Sequence, residues 1–442
     1  MPHLAYAVSP GSRHPVTVVI ETACETRNDD REGPVRHRPA ARKGLAMSDH
    51  FTEVTSRSWF SRIGGAFSGI LFGFLLLLAA IAGLFWNEGR AVNTARALSE
   101  GAGSVVTVDP ARPAAASGQL VHFSGPLTIQ GAPVDPLFPG LGVPDNANRL
   151  KRMVEMYQWQ ESSRSETRKK LGGGEETVTT YSYAPGWVSR PVDSAAFKQP
   201  AGHANPPMPV ESNSFAARAG TVGQITIPGN RLAGLGNDTA LALGEGDLDT
   251  IASALNDGRA VRLSGGMAYV GASPANPRIG DLRISFETSA AGTVSAVGTI
   301  DNGTLGTFTA SNGVAIGMIE AGEKPASAMF EAAQASNTAL TWGLRIAGLI
   351  AMLIGFRMIF SIVGVLGDVV PFIGDVFRFA TGLAAMALTA VIGTLTIGLA
   401  WVWYRPLLGW SIIAIGAALA IAFIMLGKRR ARAAVEGAAA AS

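Results

Sequence analysis

The sequence predicts a multi-pass α-helical membrane protein with four transmembrane helices, one N-terminal and three C-terminal, and a large β-rich extracytoplasmic domain inserted between helices 1 and 2. Three observations predict this class. The 442 residues are 48% hydrophobic and only 16% charged, a balance that favours a membrane protein. The apolar runs are concentrated at residues 64–86 and 340–426. The stretch between them has short alternating runs separated by turn residues, as in a soluble β domain.

These patterns divide the chain into consecutive segments. They are a disordered leader or mis-assigned start (1–46), a cytoplasmic N-terminal segment (47–63), transmembrane helix 1 (64–86), the extracytoplasmic β-rich domain (87–338), transmembrane helix 2 (339–360), a cytoplasmic interfacial loop (361–378), transmembrane helix 3 (379–404), transmembrane helix 4 (405–426) and a basic cytoplasmic tail (427–442). For the leader, translation from Met47 and a genuine disordered tail are both open.

The first span has no charged residue over 64–86, which exceeds the roughly 20 residues that a helix needs to cross a bilayer. Gly65, Gly69 and Gly73 recur every four positions. They predict a groove for close helix contact, although glycine is common in membrane helices in any case.

The later spans are predicted from charge placement and turn chemistry. Arg345 and Arg357 lie near the two ends of the second span, where their side chains would extend to lipid headgroups. Spans three and four are separated only by Arg405 and Pro406, which predicts an antiparallel helical hairpin with Pro406 in the first turn of the fourth helix.

The sidedness follows from the basic residues Lys428, Arg429, Arg430 and Arg432 after the fourth span, which predict a cytoplasmic tail. An even number of spans then places the N-terminus in the cytoplasm and the inserted domain outside.

Segment 361–378 is apolar but is punctuated by glycine, aspartate and Pro371. It predicts a pair of short interfacial helices with Asp368 and Asp375 pointing to water. An ion path lined by these carboxylates is the alternative, and its partner charges within the spans would be limited to Arg345 and Arg357.

The inserted domain is predicted to consist of antiparallel strands, as in a barrel or a sandwich. Residues 160–177 are polar with glycines at 172–174, which indicates a long hairpin with a flexible turn. Residues 118–125 resemble residues 258–265, so two related halves and a chance similarity are both open.

Several function classes lack support in the sequence. A net charge of +3 without a basic patch argues against nucleic-acid binding. The single cysteine, Cys24, argues against disulfides and thiol chemistry. His122 and His203 show no metal-ligand spacing. We therefore expect no enzyme, no cofactor and no metal. A hydrolase that uses His203 or Asp193 is a lesser alternative.

A set of motifs resembles one known family. The motifs are Trp86-Asn87-Glu88-Gly89-Arg90, the run from Val154 to Trp159 that includes Tyr157, Tyr181 and Tyr183 followed by Trp187, Asp193 with Phe197, Gly202-His203 with Asn205-Pro206, Thr341-Trp342-Gly343-Leu344-Arg345, and Tyr404-Arg405-Pro406-Leu407. In this order and membrane layout, residues 51–426 resemble the transmembrane protein 43 family, also called LUMA. The alanine-rich and glycine-rich composition indicates a bacterial member.

The resemblance implies a multi-pass membrane protein. Animal members reside in the endoplasmic reticulum and inner nuclear membrane, where they are thought to organise membrane-protein complexes, and a bacterium has no such nuclear role. No catalytic residues come with the resemblance. The family-motif and interface candidates are Trp86, Asn87, Glu88, Gly89, Arg90, Tyr157, Trp159, Trp187, His203, Asn205, Trp342, Arg345, Arg405 and Pro406.

The function expected from these observations is a non-enzymatic integral membrane scaffold that organises membrane-protein complexes or membrane structure through its extracytoplasmic domain. The alternative is a transporter or channel component. Membrane lipids, other membrane proteins and a second copy of the chain are the expected partners, without nucleic acid. The expected location is a bacterial inner membrane with the large domain in the periplasm, or the endoplasmic reticulum or inner nuclear membrane in a eukaryote.

Overall fold

The structure is a computed structural model that describes residues 50–113, 118–407 and 409–411. Its helices are α1 (Trp59–Ser104), α2 (Gly229–Leu232), α3 (Glu245–Leu255), α4 (Ala326–Gly367) and α5 (Pro371–Tyr404), with a 3₁₀ turn at Ser194–Ala196. Its strands are β1 (His50–Arg57), β2 (Val106–Thr107), β3 (Val121–Pro126), β4 (Thr128–Gln130), β5 (Arg149–Lys169), β6 (Glu175–Val188), β7 (Asn213–Ala216), β8 (Ala219–Val222), β9 (Ile225–Pro228), β10 (Thr239–Ala240), β11 (Val261–Ser264), β12 (Met267–Val270), β13 (Leu282–Ser289), β14 (Thr293–Gly298), β15 (Ile300–Asp301), β16 (Thr304–Leu305), β17 (Phe308–Thr309), β18 (Ala315–Ile316) and β19 (Met318–Ala321).

Three helices among the described residues, α1, α4 and α5, are long and apolar enough to cross a membrane. They contain the first three predicted spans, and α1 and α4 also extend well beyond them toward the β domain. The fourth predicted span lies outside the described residues apart from 405–407 and 409–411, as do the leader and the tail. Gly409 lies against Val402, so the chain bends sharply at Arg405 and Pro406, and the predicted antiparallel hairpin itself lies outside the described residues.

The helices α1 and α4 make backbone contact at paired glycines. A Cβ atom on Gly73 would lie 2.7 Å from the carbonyl oxygen of Gly355, and one on Gly355 would lie 2.9 Å from that of Gly73. Gly69 also faces α4, whereas a Cβ atom on Gly65 would meet nothing within 4 Å. The predicted glycine groove is therefore confirmed for Gly69 and Gly73, and Gly65 is not part of it.

Replacing Gly73 by alanine should destabilise the helix pair. The added methyl group has no room beside the Gly355 carbonyl, and overpacking of this kind costs about 1–3 kcal/mol. Gly65→Ala is the matched control, because alanine there adds only helix propensity and should stabilise by up to about 1 kcal/mol. Thermal unfolding of both variants in detergent tests this. Equal effects of the same sign would contradict the close contact.

The β domain is built from several sheets and two apolar cores. Its largest sheet has eight strands in the order β1-β6-β5-β13-β12-β11, with β7 on β5 and β10 on β13. A four-stranded sheet (β19-β14-β3-β2) and a five-stranded sheet (β15-β16-β9-β8-β4) form the rest, beside the β17-β18 pair. One core lies between the two smaller sheets and a second under α3 on the large sheet. Most strand pairs are antiparallel, as predicted, and β2-β3 and β9-β16 are parallel.

The structure does not place the two similar segments equivalently. β3 lies between β14 and β2 in the four-stranded sheet, whereas β11 is the last strand of the large sheet. Both strands follow a glycine with positive φ, Gly118 at +76° and Gly258 at +74°. This backbone region favours glycine. The two similar segments therefore share a turn that precedes a strand.

A third core attaches the helices to the β domain. The end of α1 and the start of α4 pack together with β18 through Leu98, Phe330 and Ile316. Gly101 is needed at this contact, because a Cβ atom there would lie 2.8 Å from Ile316 and 2.9 Å from Phe330. The segment before the second predicted span is thus a continuous part of α4, packed on α1.

Three strands form a ribbon that extends away from the rest of the β domain. We call the rest of the β domain the body. β1 pairs with β6, and β6 pairs with β5. The 21 residues of β5 cover about 70 Å, and the 46 residues of α1 also cover about 70 Å. At the ribbon tip the Gly173 carbonyl accepts a 2.5 Å hydrogen bond from Arg62. The ribbon therefore runs beside the helices and meets them at the end opposite the body.

The predicted pair of short interfacial helices is wrong. α4 continues to Gly367, and α5 starts at Pro371, which occupies the first turn of the helix. Proline suits that position because its missing N–H would be unpaired there anyway. The two long helices are joined by a tight turn, which contacts the ribbon tip through Lys169 and Asp375. This contact conflicts with the predicted sidedness. The prediction places the hairpin at 160–177 on the extracytoplasmic face and segment 361–378 on the cytoplasmic face.

When the three helices cross a bilayer, we expect the ribbon tip to separate from Arg62 and Asp375 and to stay on the same membrane face as the body. Polar strands with an open edge do not enter hydrocarbon, because their backbone groups would lose hydrogen bonds to water. In sealed vesicles, and in a Cys24→Ser background, an impermeant maleimide should label Leu171→Cys at the tip and Asn146→Cys on the body from the same side. Leu171 is 89% exposed. Labelling from opposite sides would contradict this expectation.

Candidate functional site

The most distinctive polar site is a cluster where α1, α4 and α5 meet, at the body end of their apolar stretches. Glu88 of α1 is 2% exposed and accepts two hydrogen bonds from Arg345 of α4, at 2.6 and 2.7 Å. The Trp401 indole of α5 donates a third, at 2.8 Å. We call this group, together with Asn87, Arg90, Asn337 and Thr341, the junction cluster. One carboxylate thus joins all three helices.

The remaining members of the junction cluster tie α1 to α4. Asn87 donates to the Thr341 carbonyl at 3.1 Å. Arg90 donates to the Asn337 side chain at 3.0 Å and to the Thr341 hydroxyl at 2.9 Å. Asn337 donates back to the Ala91 carbonyl at 3.0 Å. The bonds run in both directions across the helix interface, which fixes the register of the pair.

The structure corrects the predicted role of Arg345. Its guanidinium does not extend to headgroups, because Glu88 binds it in a two-point arrangement, the geometry that arginine and carboxylate favour. The guanidinium also lies 4.8 Å from the Trp342 ring centroid and 5.7 Å from that of Trp401. These cation–π contacts add to its stabilisation.

The other interface candidates surround the junction cluster without joining it. Trp86 and Trp342 are 62% and 58% exposed, as expected of aromatic residues at a membrane interface. Gly89 lies against Tyr404, where a Cβ atom would be 2.5 Å from the ring. Arg405 and Pro406 are exposed where the chain turns back.

Loss of one partner of the Glu88–Arg345 pair should be costly. Removing one member of a buried ion pair leaves the other charge unpaired, which costs about 3–5 kcal/mol, whereas an apolar replacement of both members is often neutral. Glu88→Gln should therefore lower the thermal stability in detergent strongly, and the double variant Glu88→Leu with Arg345→Leu should recover part of the loss.

Glu166→Gln is the control for this measurement. The Glu166 side chain is 58% exposed and makes only long ion pairs, at 3.7 and 4.0 Å. Exposed pairs of this kind contribute about 0–1 kcal/mol. If Glu88→Gln were as mild as Glu166→Gln, the junction cluster would not hold the helices together.

In the β domain, the motif residues Trp159, His203 and Asn205 come together at the base of the ribbon. The His203 ring is 2% exposed, stacks on Tyr183 at 4.2 Å and meets Trp159 edge-on at 4.8 Å. Asn205 accepts from the Trp159 backbone N–H at 2.7 Å and donates to its carbonyl at 3.0 Å. Asn205 therefore replaces a missing strand neighbour, and this cluster pins the 190–210 loop onto β5.

The hydroxyl of Tyr183 extends this cluster toward Glu161. Burial raises the pKa of Tyr183 above its ordinary value, and its hydrogen bond to Glu161 raises the pKa further. Tyr183 therefore stays protonated at neutral pH and donates to Glu161 at 2.8 Å.

The motif residues Tyr157 and Trp187 lie on the neighbouring part of the same sheet. The Tyr157 and Trp187 rings are 5.3 Å apart, and the Arg283 guanidinium lies 3.9 Å from the Trp187 centroid. Asp193, considered above as an acid or base, accepts from the backbone N–H of Ala195 in the 3₁₀ turn. Its role in the fold is that of a turn cap.

A second charged cluster, which we call the turn cluster, was not predicted from the sequence. Asp368 is fully buried rather than pointing to water. It binds Arg62 at 2.6 Å, also binds Arg378, and has Lys169 at 3.5 Å. The Trp59 indole donates to the nearby Val365 carbonyl at 2.9 Å. The cations come from α1, β5 and α5, so local pattern around Asp368 could not reveal them.

No group of three or more His, Cys, Asp or Glu side chains in the described ranges is arranged to hold a metal ion. The polar groups in the junction cluster bind one another, and the geometry there is suited to holding helices at a fixed spacing.

Apolar helices long enough to span a bilayer, joined by buried polar contacts and carrying an inserted β domain, define an integral membrane protein. A family model described as Transmembrane protein 43 matches residues 156–406. The chain is 31% identical to Transmembrane protein 43 of Pongo abelii over 84% of its own length and 90% of that protein. It is 30% identical to the Homo sapiens protein over 82% and 90%, and 28% identical to the Drosophila melanogaster homolog over 78% and 92%.

The chain therefore belongs to the transmembrane protein 43 family. This confirms the resemblance drawn from the motifs, and the motifs that contain Glu88 and Arg345 meet in the junction cluster. No solved structure matches the chain.

Proposed function

We propose that this protein is a non-enzymatic membrane scaffold, which organises membrane-protein complexes or membrane structure through its β domain. The junction cluster carries the proposal. Its side chains bind one another across three helices, and the apolar core at Leu98, Phe330 and Ile316 attaches α1 and α4 to the β domain. A folded domain rigidly coupled to a membrane anchor has the mechanical property that a scaffold needs.

The proposed location is a bacterial inner membrane, with the body of the β domain in the periplasm. The basic tail after the last predicted span supports this sidedness through the positive-inside rule. Membrane lipids, other membrane proteins and a second copy of the chain are the proposed partners.

The body offers exposed apolar side chains that a protein partner would cover. Val134 and Leu137 are 56% and 51% exposed on one loop, and Leu263 is 53% exposed on β11. Single exposed apolar residues are ordinary on protein surfaces. The pair on one loop is therefore the better place to look for a partner.

Site-specific photocrosslinking in native membranes tests the scaffold proposal. A photoreactive residue at Leu137 should capture a defined protein or a second copy reproducibly, while the same residue at Asn146, a polar exposed position farther along the same loop, should capture little. Mass spectrometry identifies the products. If Leu137, Leu263 and Asn146 all yield only uncrosslinked monomer, the scaffold proposal fails.

A transporter or channel component is the second candidate, and the buried Glu88–Arg345 pair is the observation that favours it. Ionisable residues at membrane depth often mark a substrate or ion path. A flux assay in liposomes that shows selective conductance, altered in Glu88→Gln, would favour this candidate over the scaffold.

A further inference from the structure

The cation Arg357 remains unexplained by the fold. It lies on α4, 12 residues after Arg345 and 11 before Asp368, which places it about 18 and 17 Å along the helix from those two charged clusters. It is exposed, and no hydrogen-bond or ion-pair partner is found for it within 50–113, 118–407 and 409–411. An arginine at this depth is costly without a counter-charge.

The missing counter-charge is not supplied by the fourth predicted span. Residues 407–426 contain no aspartate or glutamate. The next carboxylate along the chain, Asp368, is already bound by Arg62 and Arg378. Neither Asp368 nor the fourth predicted span therefore supplies a partner for the five N–H donors of Arg357.

Arg357 lines two adjoining clefts, one with polar groups and one with apolar walls. A cleft of about 220 Å³ between α4 and α5 is lined by Arg357, Ser361, Thr381 and Arg378 among others. Its hydroxyl groups already donate to backbone carbonyls, and the charge of Arg378 is neutralised by Asp368. The unpaired positive charge of this cleft is therefore that of Arg357.

A second cleft of about 210 Å³ adjoins the first and shares Arg357, Arg378 and Gly382 with it. Its other walls are wholly apolar side chains: Leu353, Phe379, Leu383 and Met386. Phe379 is 71% exposed and Met386 51%, so the apolar cleft opens onto the surface that faces lipid. The guanidinium of Arg357 thus stands where a cationic cleft meets an apolar one.

We propose that the α4–α5 clefts bind an anionic phospholipid, with its phosphate on Arg357 and one acyl chain along Leu353, Leu383 and Met386. Arginine suits phosphate because its planar donors match the phosphate oxygens. The apolar cleft suits an acyl chain, and both halves of the ligand come from one molecule of the surrounding bilayer. The site is distinct from the junction cluster and does not depend on the scaffold proposal.

Native mass spectrometry of the purified full chain tests this site. The protein is released from micelles that contain equal amounts of phosphatidylglycerol and phosphatidylcholine with identical acyl chains. The wild type should retain phosphatidylglycerol preferentially, and Arg357→Gln should reduce that retention about tenfold or more, as expected for loss of charged hydrogen bonds. Arg357→Lys should keep part of the preference, and Arg218→Gln, at an exposed position of the β domain, should leave it unchanged.

Each other outcome overturns the proposal. Equal retention of the two lipids by the wild type, or an unchanged preference in Arg357→Gln, would exclude Arg357 as a phosphate ligand. Displacement of phosphatidylglycerol by millimolar inorganic phosphate would show an anion site without lipid recognition. A lipid-free dimer that Arg357→Gln dissociates would identify a second copy as the occupant. Arg357→Gln should fold, because it removes an unpaired charge from an apolar helix.

Discussion

The bond from Glu88 to Arg345 determines the arrangement of the whole membrane part. Once this pair forms, α1 and α4 have a single antiparallel register, which brings Gly73 against Gly355 farther along the helices. Trp401 attaches α5 to the same carboxylate, so the third helix takes its position from the first two. Because the pair is buried, it contributes little favourable energy by itself. Its main effect is to exclude every other register.

Much of the fold was predictable because membrane spans and strands have local patterns. Residues 64–86 and 379–404 show their apolar runs directly, and the motif around Glu88 and Arg345 identified the right residues. Their pairing was not predictable, since the two lie 257 positions apart and apolar periodicity gives no register between helices. Arg345 was therefore assigned to lipid, and Asp368 to water, because each was judged without its partner.

The charged side chains of the helices are concentrated at the two ends of the apolar stretch, as expected of helices that cross a bilayer. The junction cluster and the turn cluster bracket the apolar stretch of α4, and both neutralise their carboxylates with arginine. Between Arg345 and Asp368 the one unpaired charge on the described part of α4 is Arg357. Lipid-facing residues elsewhere on the three helices are mainly large and apolar. The hydrocarbon therefore meets a nearly neutral surface, with a single cation near one end of the second span.

The pairing of β1 with β6 has a consequence for synthesis. His50 and Ser182 are hydrogen-bonded across 132 positions, so the ribosome completes all of α1 before the partner of β1 exists. At about 5–20 residues per second, β1 waits on the order of ten seconds. An apolar helix that enters the translocation machinery during this interval carries β1 away from β6. Insertion of α1 and closure of the ribbon are thus competing events, and the order of translation gives insertion the earlier start.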